Sequence, residues 1–140
     1  MSTHKTTVNQ ENILTFLKEK FPTGVSNFEI IIGGESSQAY SFSVDGKNYI
    51  IRLNKHNTRG FKKDEYAFNH FGSDLIPIPE VYDIGKINES LNYCISKKVP
   101  GKLLDTFKGE EFKNILPDMF KVLDAIHSCD ISNTWHGPQI

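Results

Sequence analysis

Residues 33–53, which read GGESSQAYSFSVDGKNYIIRL, decide the fold of this chain. A glycine pair and small hydroxyl residues predict a turn, and the alternation of apolar and polar residues after it is typical of a β-strand. The Asp45-Gly46 pair predicts a tight reversal into a returning strand, which carries one cation, Arg52, in an apolar run. Because backbone N–H groups and a guanidinium can converge on a row of phosphates, the stretch predicts half of a nucleotide site.

The rest of the chain predicts further helices and strands around this hairpin. Apolar residues at helical spacing predict helices over residues 11–21, 61–71 and 110–127. Short β-branched or apolar runs predict strands over residues 27–32, 81–87 and 91–99. With the two hairpin strands these make five strands and three helices, which predicts an α+β domain.

The composition is that of one compact unit without a polyanionic partner. The chain has 140 residues, of which 38% are hydrophobic and 24% charged, and its formal net charge is -1. That balance gives no overall attraction for nucleic acid or for an anionic membrane. Residues 1–10 hold no secretory signal, so we expect a cytoplasmic protein whose Cys94 and Cys129 are free thiols. Cys94 lies in an apolar strand and is predicted to be a small buried packing residue.

Four segments, the first of which overlaps the opening stretch, resemble the aminoglycoside phosphotransferases, which are relatives of the protein kinases. In that family's order they are residues 49–54 (YIIRLN), 60–66 (GFKKDEY), 76–85 (IPIPEVYDIG) and 89–98 (ESLNYCISKK). The resemblance is strongest to members that act on hygromycin-like antibiotics. It implies a protein-kinase-like N-terminal lobe, with a five-stranded antiparallel sheet and flanking helices, in residues 1–100. Residues 101–140 would hold the hinge exit and the first helix of the C-terminal lobe.

The resemblance also implies residues that hold the phosphates of ATP. The glycine turn would cover the phosphates, with Ser36 and Ser37 as the contacts. Arg52 stands where most kinases have a lysine, and its guanidinium can bridge two phosphate oxygens. A cation at a sheet edge that reaches for water is the alternative interpretation of Arg52. The kinase helix supplies an ion-pair carboxylate, which we predict to be Glu65; Asp64 points about 100° away, so at most one of the two faces Arg52.

Residues 93–101 resemble the kinase hinge, which contacts adenine through main-chain groups. By that analogy the Lys97 carbonyl accepts a hydrogen bond from the exocyclic amine, and the Val99 N–H donates one to the ring. Four isoleucines could form apolar walls of the site, although they would look the same in sequence as ordinary core residues. These are Ile30, Ile32, Ile50 and Ile95.

The resemblance does not extend to a catalytic loop. Two residues separate His127 from Asp130, and Asn133 follows too closely for the family's spacing. Phosphoryl transfer needs magnesium and a carboxylate that orients the acceptor hydroxyl. We therefore expect this chain alone to be inactive, with Mg²⁺ and the aminoglycoside bound only when the family's second lobe is present. The five histidines show no ligand spacing for a transition metal.

Two hypotheses of function follow. In the first, the chain is the ATP-binding lobe of an enzyme that transfers the γ-phosphate of ATP to a hydroxyl of a hygromycin-like antibiotic and so confers resistance. In the second, it is a non-catalytic kinase-like module that binds a partner. The 110–127 helix discriminates between them: without a second lobe its apolar residues must fold back, dimerise or stay exposed, and we predict a homodimer through that helix or poor solubility. The choice between ATP and GTP, and the particular aminoglycoside, stay open.

Overall fold

The computed structural model describes residues 8–32, 38–102, 104–132 and 134. Its helices and strands are α1 Gln10–Lys20, β1 Ser26–Ile31, β2 Gln38–Val44, β3 Lys47–Asn54, α2 Arg59–Phe71, β4 Val81–Asn88, β5 Leu91–Lys97 and α3 Glu110–His127, with a 3₁₀ turn at Leu104–Thr106. Every predicted helix and strand is present, but α2 begins earlier than predicted and β5 ends before Val99. In the described part of the chain, no helix has both the length and the apolar character needed to cross a membrane.

The five strands form one antiparallel sheet in the order β1-β2-β3-β5-β4. Asp45 and Gly46 make the predicted reversal between β2 and β3, with φ angles of 51° and 77°. Positive φ at both central residues is what a type I′ hairpin turn requires. Because β5 lies between β3 and β4, β3 is paired on both sides. Arg52 therefore stands on a central strand, and the alternative of a cation at a sheet edge is wrong.

One face of the sheet packs under α1 and forms the hydrophobic core. Ile51 and Leu53 of β3 are fully buried there, together with Ile13 and Leu17 of α1. Each such aliphatic side chain contributes about 1.5–3 kcal/mol through its burial. Since side chains alternate along a strand, the core positions of β3 place Arg52 on the opposite face, as the sequence predicts.

Helix α2 covers that opposite face. Phe61, in its first turn, is 3% exposed, and its ring centroid lies 5.2 Å from the Arg52 guanidinium carbon. The helix ends at Phe71, where the Gly72 N–H donates to the Phe68 carbonyl oxygen at 2.9 Å. A Cβ at Gly72 would come within 2.6 Å of that same oxygen. Glycine thus lets the chain turn sharply at the end of α2.

Helix α3 has no buried residue along its whole described length. Phe120, Leu123 and Ile126 are 59%, 44% and 47% exposed, respectively. Pro117 lies within the helix and does not end it. The last helix therefore presents an apolar side to its surroundings, as expected if it packs on something beyond the described residues.

Candidate functional site

Arg52 lies in the middle of a row of residues that crosses the sheet. Its Cα partners are Ala39 on β2 and Cys94 on β5. The row continues to Ile31 on β1 and Ile84 on β4. Cross-strand partners point their side chains to the same face, so all five residues share the face that α2 covers in part. The sheet thus presents the cation at the centre of a mostly apolar surface.

The Arg52 guanidinium is held on three sides. Its Nη2 atom lies 2.8 Å from Asp64 Oδ2. The same nitrogen donates to Cys94 Sγ at 3.6 Å, and the Phe61 ring lies against the guanidinium at 5.2 Å. The Arg52 side chain keeps 33% of its surface exposed. The cation is therefore fixed in place but not enclosed, which leaves part of it open to a ligand.

Burial and hydrogen bonding act on this cation in opposite directions. Burial alone would lower the pKa of Arg52, but the hydrogen bond to Asp64 and the interaction with Cys94 raise that pKa above its ordinary value. The guanidinium consequently stays charged at any physiological pH. A permanent, partly exposed positive charge is what an anionic ligand would meet here.

The predicted ion-pair partner, Glu65, is wrong by one residue. Asp64 makes the pair, and Glu65 is exposed. The physical reason is the helical repeat: position 64 lies three residues after Phe61 and four before Phe68, on the stripe of α2 that faces the sheet. Glu65 lies about 100° further round the helix. In the sequence, the spacing of Phe61 and Phe68 indicates which side of α2 faces the sheet, and that side carries Asp64 and not Glu65.

A cleft of about 470 Å³ opens beside Arg52. The sheet, α2, the connector before β4 and the residues after β5 all contribute to it. The lining residues are Ile50, Arg52, Asp64, Ala67, Ile78, Pro79, Val81, Ser96, Lys97 and Val99. The cleft is thus mostly apolar, with the Arg52–Asp64 pair inside it, a mixture typical of small-molecule sites.

Lys97 and Val99 border this cleft at the end of β5. The Lys97 N–H donates to the Glu80 carbonyl oxygen at 2.9 Å, and the Lys97 ammonium pairs with the Glu80 carboxylate at 2.6 Å. The next residue, Lys98, donates its N–H to the Asn48 carbonyl oxygen at 3.0 Å. The structure therefore brings both residues of the predicted adenine contact to the same cleft as Arg52.

The predicted apolar walls divide between the two faces of the sheet. Ile50 lines the cleft. Ile95 pairs with Ile51 and is fully buried in the core, so its predicted role as a cleft wall is wrong. Ile30 is also misplaced, because it pairs with Tyr40 of the core face. Knowledge of the strand register, which the sequence does not provide, was needed to separate these residues.

The sequence analysis missed Ser96 as a cleft residue. Ser96 pairs with Ile50 across β3 and β5, is 6% exposed and lines the cleft. The two predicted phosphate contacts in the glycine turn, Ser36 and Ser37, lie outside the described residues. Their roles stay predictions.

A second cavity of about 750 Å³ lies between the end of α2 and the end of α3. Its lining includes His70, Lys121, Asp124 and Cys129 but none of the cleft residues. Across residues 8–32, 38–102, 104–132 and 134, no three side chains of the metal-binding types come together to hold an ion. We place the candidate site in the smaller cleft, because a fixed cation meets apolar walls and main-chain groups there.

Known proteins resemble this chain in sequence and in fold. Hygromycin-B 4-O-kinase of Escherichia coli is 43% identical over 119 residues, which are 85% of this chain and 34% of that protein. The crystal structure of aminoglycoside phosphotransferase APH(4)-Ia superposes with a TM-score of 0.84 at 40% identity, over 90% of this chain and 42% of that one. No protein-family model matches the chain.

A thermostable mutant of APH(4)-Ia in a ternary complex with AMP-PNP and hygromycin B superposes with a TM-score of 0.81 at 42% identity. That match covers 88% of this chain and 41% of the other. The chain thus spans about a third of the curated relative's length and about two fifths of the solved ones. The fold is that of a kinase-like N-terminal lobe. Within that class, the chain is homologous to the N-terminal part of hygromycin B phosphotransferase, which is an aminoglycoside phosphotransferase.

Proposed function

We propose that the chain binds ATP in the cleft, as the nucleotide-binding lobe of a kinase that phosphorylates a hygromycin-like aminoglycoside. One observation carries the proposal: a cation on the central strand, paired with Asp64, opens into a mostly apolar cleft. A guanidinium can bridge two phosphate oxygens, so Arg52 is the residue that binds the phosphates. The homologous structure that contains AMP-PNP and hygromycin B supports nucleotide binding by this fold.

The adenine ring lies between Ile50 and the end of β5 in this proposal. The Lys98 N–H points to β3, where it donates to Asn48. Alternation along a strand therefore turns the main-chain groups of Lys97 toward β4 and the cleft. There the Lys97 carbonyl accepts from the exocyclic amine of the base, and the Val99 N–H donates to a ring nitrogen. Ser36 and Ser37 contact the phosphates from the glycine turn.

The chain supplies the nucleotide half of the reaction. Transfer of the γ-phosphate also needs magnesium and a carboxylate that orients the acceptor hydroxyl. We assign the magnesium ligands and the antibiotic contacts to the part of the kinase outside the described residues. The 140-residue chain is then expected to bind ATP without phosphorylating an antibiotic. In the whole enzyme, phosphorylation of the antibiotic confers resistance. The cytoplasmic location stays a prediction.

A calorimetric titration with ATP tests the proposal. A lobe with half of the contacts is expected to bind with a Kd of about 0.1–1 mM. Arg52→Ala removes the phosphate contact and should abolish the measurable heat. Arg59→Ala is the matched control, because Arg59 is exposed at the start of α2 and should leave binding unchanged. Equal ATP affinity in the wild type and in Arg52→Ala would exclude Arg52 from the site.

The exposed side of α3 favours a second candidate function, a non-catalytic module that binds a partner. Phe120, Leu123 and Ile126 are each more than two-fifths exposed. Exposed apolar surfaces of this kind commonly mark protein interaction sites. The homodimer predicted from the sequence is the simplest form of such an interaction.

Light scattering after gel filtration separates the two candidate functions when it is combined with the ATP titration. A module of this kind should form dimers that Leu123→Glu disrupts, and it should bind no ATP. ATP binding that depends on Arg52 would support the first candidate function, the nucleotide-binding lobe of a kinase, whatever the oligomeric state of the chain. The exposed acidic residue Asp118 provides the control variant Asp118→Asn, which should leave the oligomeric state unchanged.

A further inference from the structure

We infer that Cys94 is a positioning residue, whose sulfur helps to fix the direction in which the Arg52 guanidinium faces the phosphates of a bound nucleotide. This inference rests on the proposed function, since it concerns the same cleft. It goes beyond the sequence-based expectation that Cys94 only fills space in the sheet. The residue acts through Arg52 and touches no substrate itself.

The geometry around one nitrogen supports this role. Arg52 Nη2 donates to Cys94 Sγ at 3.6 Å and lies 2.8 Å from Asp64 Oδ2. A guanidinium is planar, so two contacts on one nitrogen and the Phe61 ring against its face define the orientation of the whole group. With Nη2 engaged by these two partners, the remaining donors of the guanidinium are the N–H groups of Nε and Nη1. Those are the donors that can meet a phosphate.

A neutral sulfur suits this position better than a second carboxylate would. Sulfur is a weak acceptor that carries no charge as a thiol, so it can orient the cation without neutralising it. Cys94 is fully buried. Burial raises the pKa of its thiol, although Arg52 acts to lower that pKa. The thiol therefore stays protonated, and among the described residues Asp64 is the only anion in contact with the guanidinium.

The other cysteine offers a matched control. Cys129 is half-buried just after α3, and its Sγ lies 3.4 Å from the Ala125 carbonyl oxygen. It lines the second cavity and not the cleft. Substitution of Cys129 should therefore affect neither Arg52 nor a ligand beside it.

Titrations of the 140-residue chain with ATP and with adenosine, followed by NMR, test the inference. Adenosine lacks phosphates, so its affinity reports the base site alone. Cys94→Val keeps a similar volume but removes the acceptor, and should weaken ATP binding about threefold to tenfold with little change for adenosine. Cys94→Ser retains an acceptor, so its ratio of ATP affinity to adenosine affinity should be closer to that of the wild type. Cys129→Ser should match the wild type.

Three results would overturn the inference. In the first, Cys94→Val binds ATP as tightly as the wild type, and the proposed function survives. In the second, ATP and adenosine affinities fall together in Cys94→Val and Cys94→Ser alike, as a mere packing role requires. In the third, the wild type does not prefer ATP to adenosine, and the proposed function fails as well. If Cys94→Val does not fold, Cys94→Ala provides the same comparison without the branched side chain.

Discussion

At position 52 the protein places a permanent charge on a central strand, where an unpaired charge would cost free energy. Asp64 offsets that cost, but the two side chains remain 33% and 47% exposed. A partly exposed ion pair of this kind contributes at most about 1 kcal/mol to stability. The main effect of the pair is therefore on the direction of the guanidinium and not on the free energy of unfolding.

Substitution of the two neighbouring carboxylates tests this ion pair. Asp64→Asn removes the charge that holds Arg52 and should weaken ATP binding several-fold, while it lowers the free energy of unfolding by less than about 1 kcal/mol. Glu65→Gln, one residue along α2, should change neither quantity. Calorimetric titration and urea denaturation measure the two effects. A larger loss of ATP affinity in Glu65→Gln than in Asp64→Asn would contradict the assignment.

Asp83 makes a pH-dependent contribution on the core side of the sheet. Its Oδ2 atom lies 2.5 Å from Lys20 Nζ and accepts from Tyr93 Oη at 2.5 Å. Burial acts to raise the pKa of Asp83, but the hydrogen bonds from Lys20 and Tyr93 outweigh it and lower the pKa below the ordinary 3.8. Because the folded pKa is the lower one, the contribution is present above the unfolded value and is lost as pH falls through the folded pKa.

We expect Asp83→Asn to lower the free energy of unfolding at neutral pH by about 1 kcal/mol or less. The difference from the wild type should shrink as the pH falls below 3.8, the ordinary value for the carboxyl. Thermal unfolding at a series of pH values measures this stability difference. Asp118→Asn, on the exposed side of α3, is the control. A stability difference that grows toward low pH would have the wrong sign for this account.

Single residues differ in how far the sequence predicts them. Strand alternation was enough to place Arg52 on the face opposite the core. The choice between Asp64 and Glu65 depended on which side of α2 packs against the sheet, and the sequence analysis did not use the phenylalanine spacing that indicates it. The contact between Cys94 and Arg52 could not be predicted, because it depends on the register of two strands far apart in the chain.

At the scale of elements, the sharp end of α2 depends on a glycine that tolerates no side chain. Gly72→Ala would place a Cβ 2.6 Å from the Phe68 carbonyl oxygen, which should lower the free energy of unfolding by about 1–3 kcal/mol. A Cβ at Gly60, within α2, would meet nothing within 4 Å. Gly60→Ala should therefore raise the free energy of unfolding by up to about 1 kcal/mol. Urea denaturation compares the two variants, and equal stabilities would show that the close approach at Gly72 does not matter.

The order and kind of the elements were predictable, whereas their pairing was not. Periodicity and turn residues were sufficient for three helices, five strands and the Asp45-Gly46 reversal. In the sequence, the apolar residues of β1 and β5 look the same whether they face the core or the cleft, and Ile95 was therefore assigned to the wrong face. Its place in the core follows from its pairing with Ile51, which arises only when β5 inserts between β3 and β4.

At the scale of the whole molecule, two of the cavities among the described residues can be compared as binding sites. The larger, about 750 Å³, lies between the ends of α2 and α3. The smaller, about 470 Å³, contains the Arg52–Asp64 pair. Size favours the first cavity, while charge, apolar walls and main-chain groups favour the second. The homologous complex with AMP-PNP agrees with a nucleotide site in this fold but names no residue of this chain.

The most direct measurement is an NMR titration of the isotope-labelled chain with ATP, in which the Arg52 side-chain Nε–Hε signal and the backbone amides are followed together. The account predicts that the signals of Arg52, Ser96 and Val99 shift in a saturable way, while those of His70 and Lys121 around the larger cavity do not. Shifts confined to the larger cavity, with the Arg52 signal unmoved at saturating ATP, would contradict it.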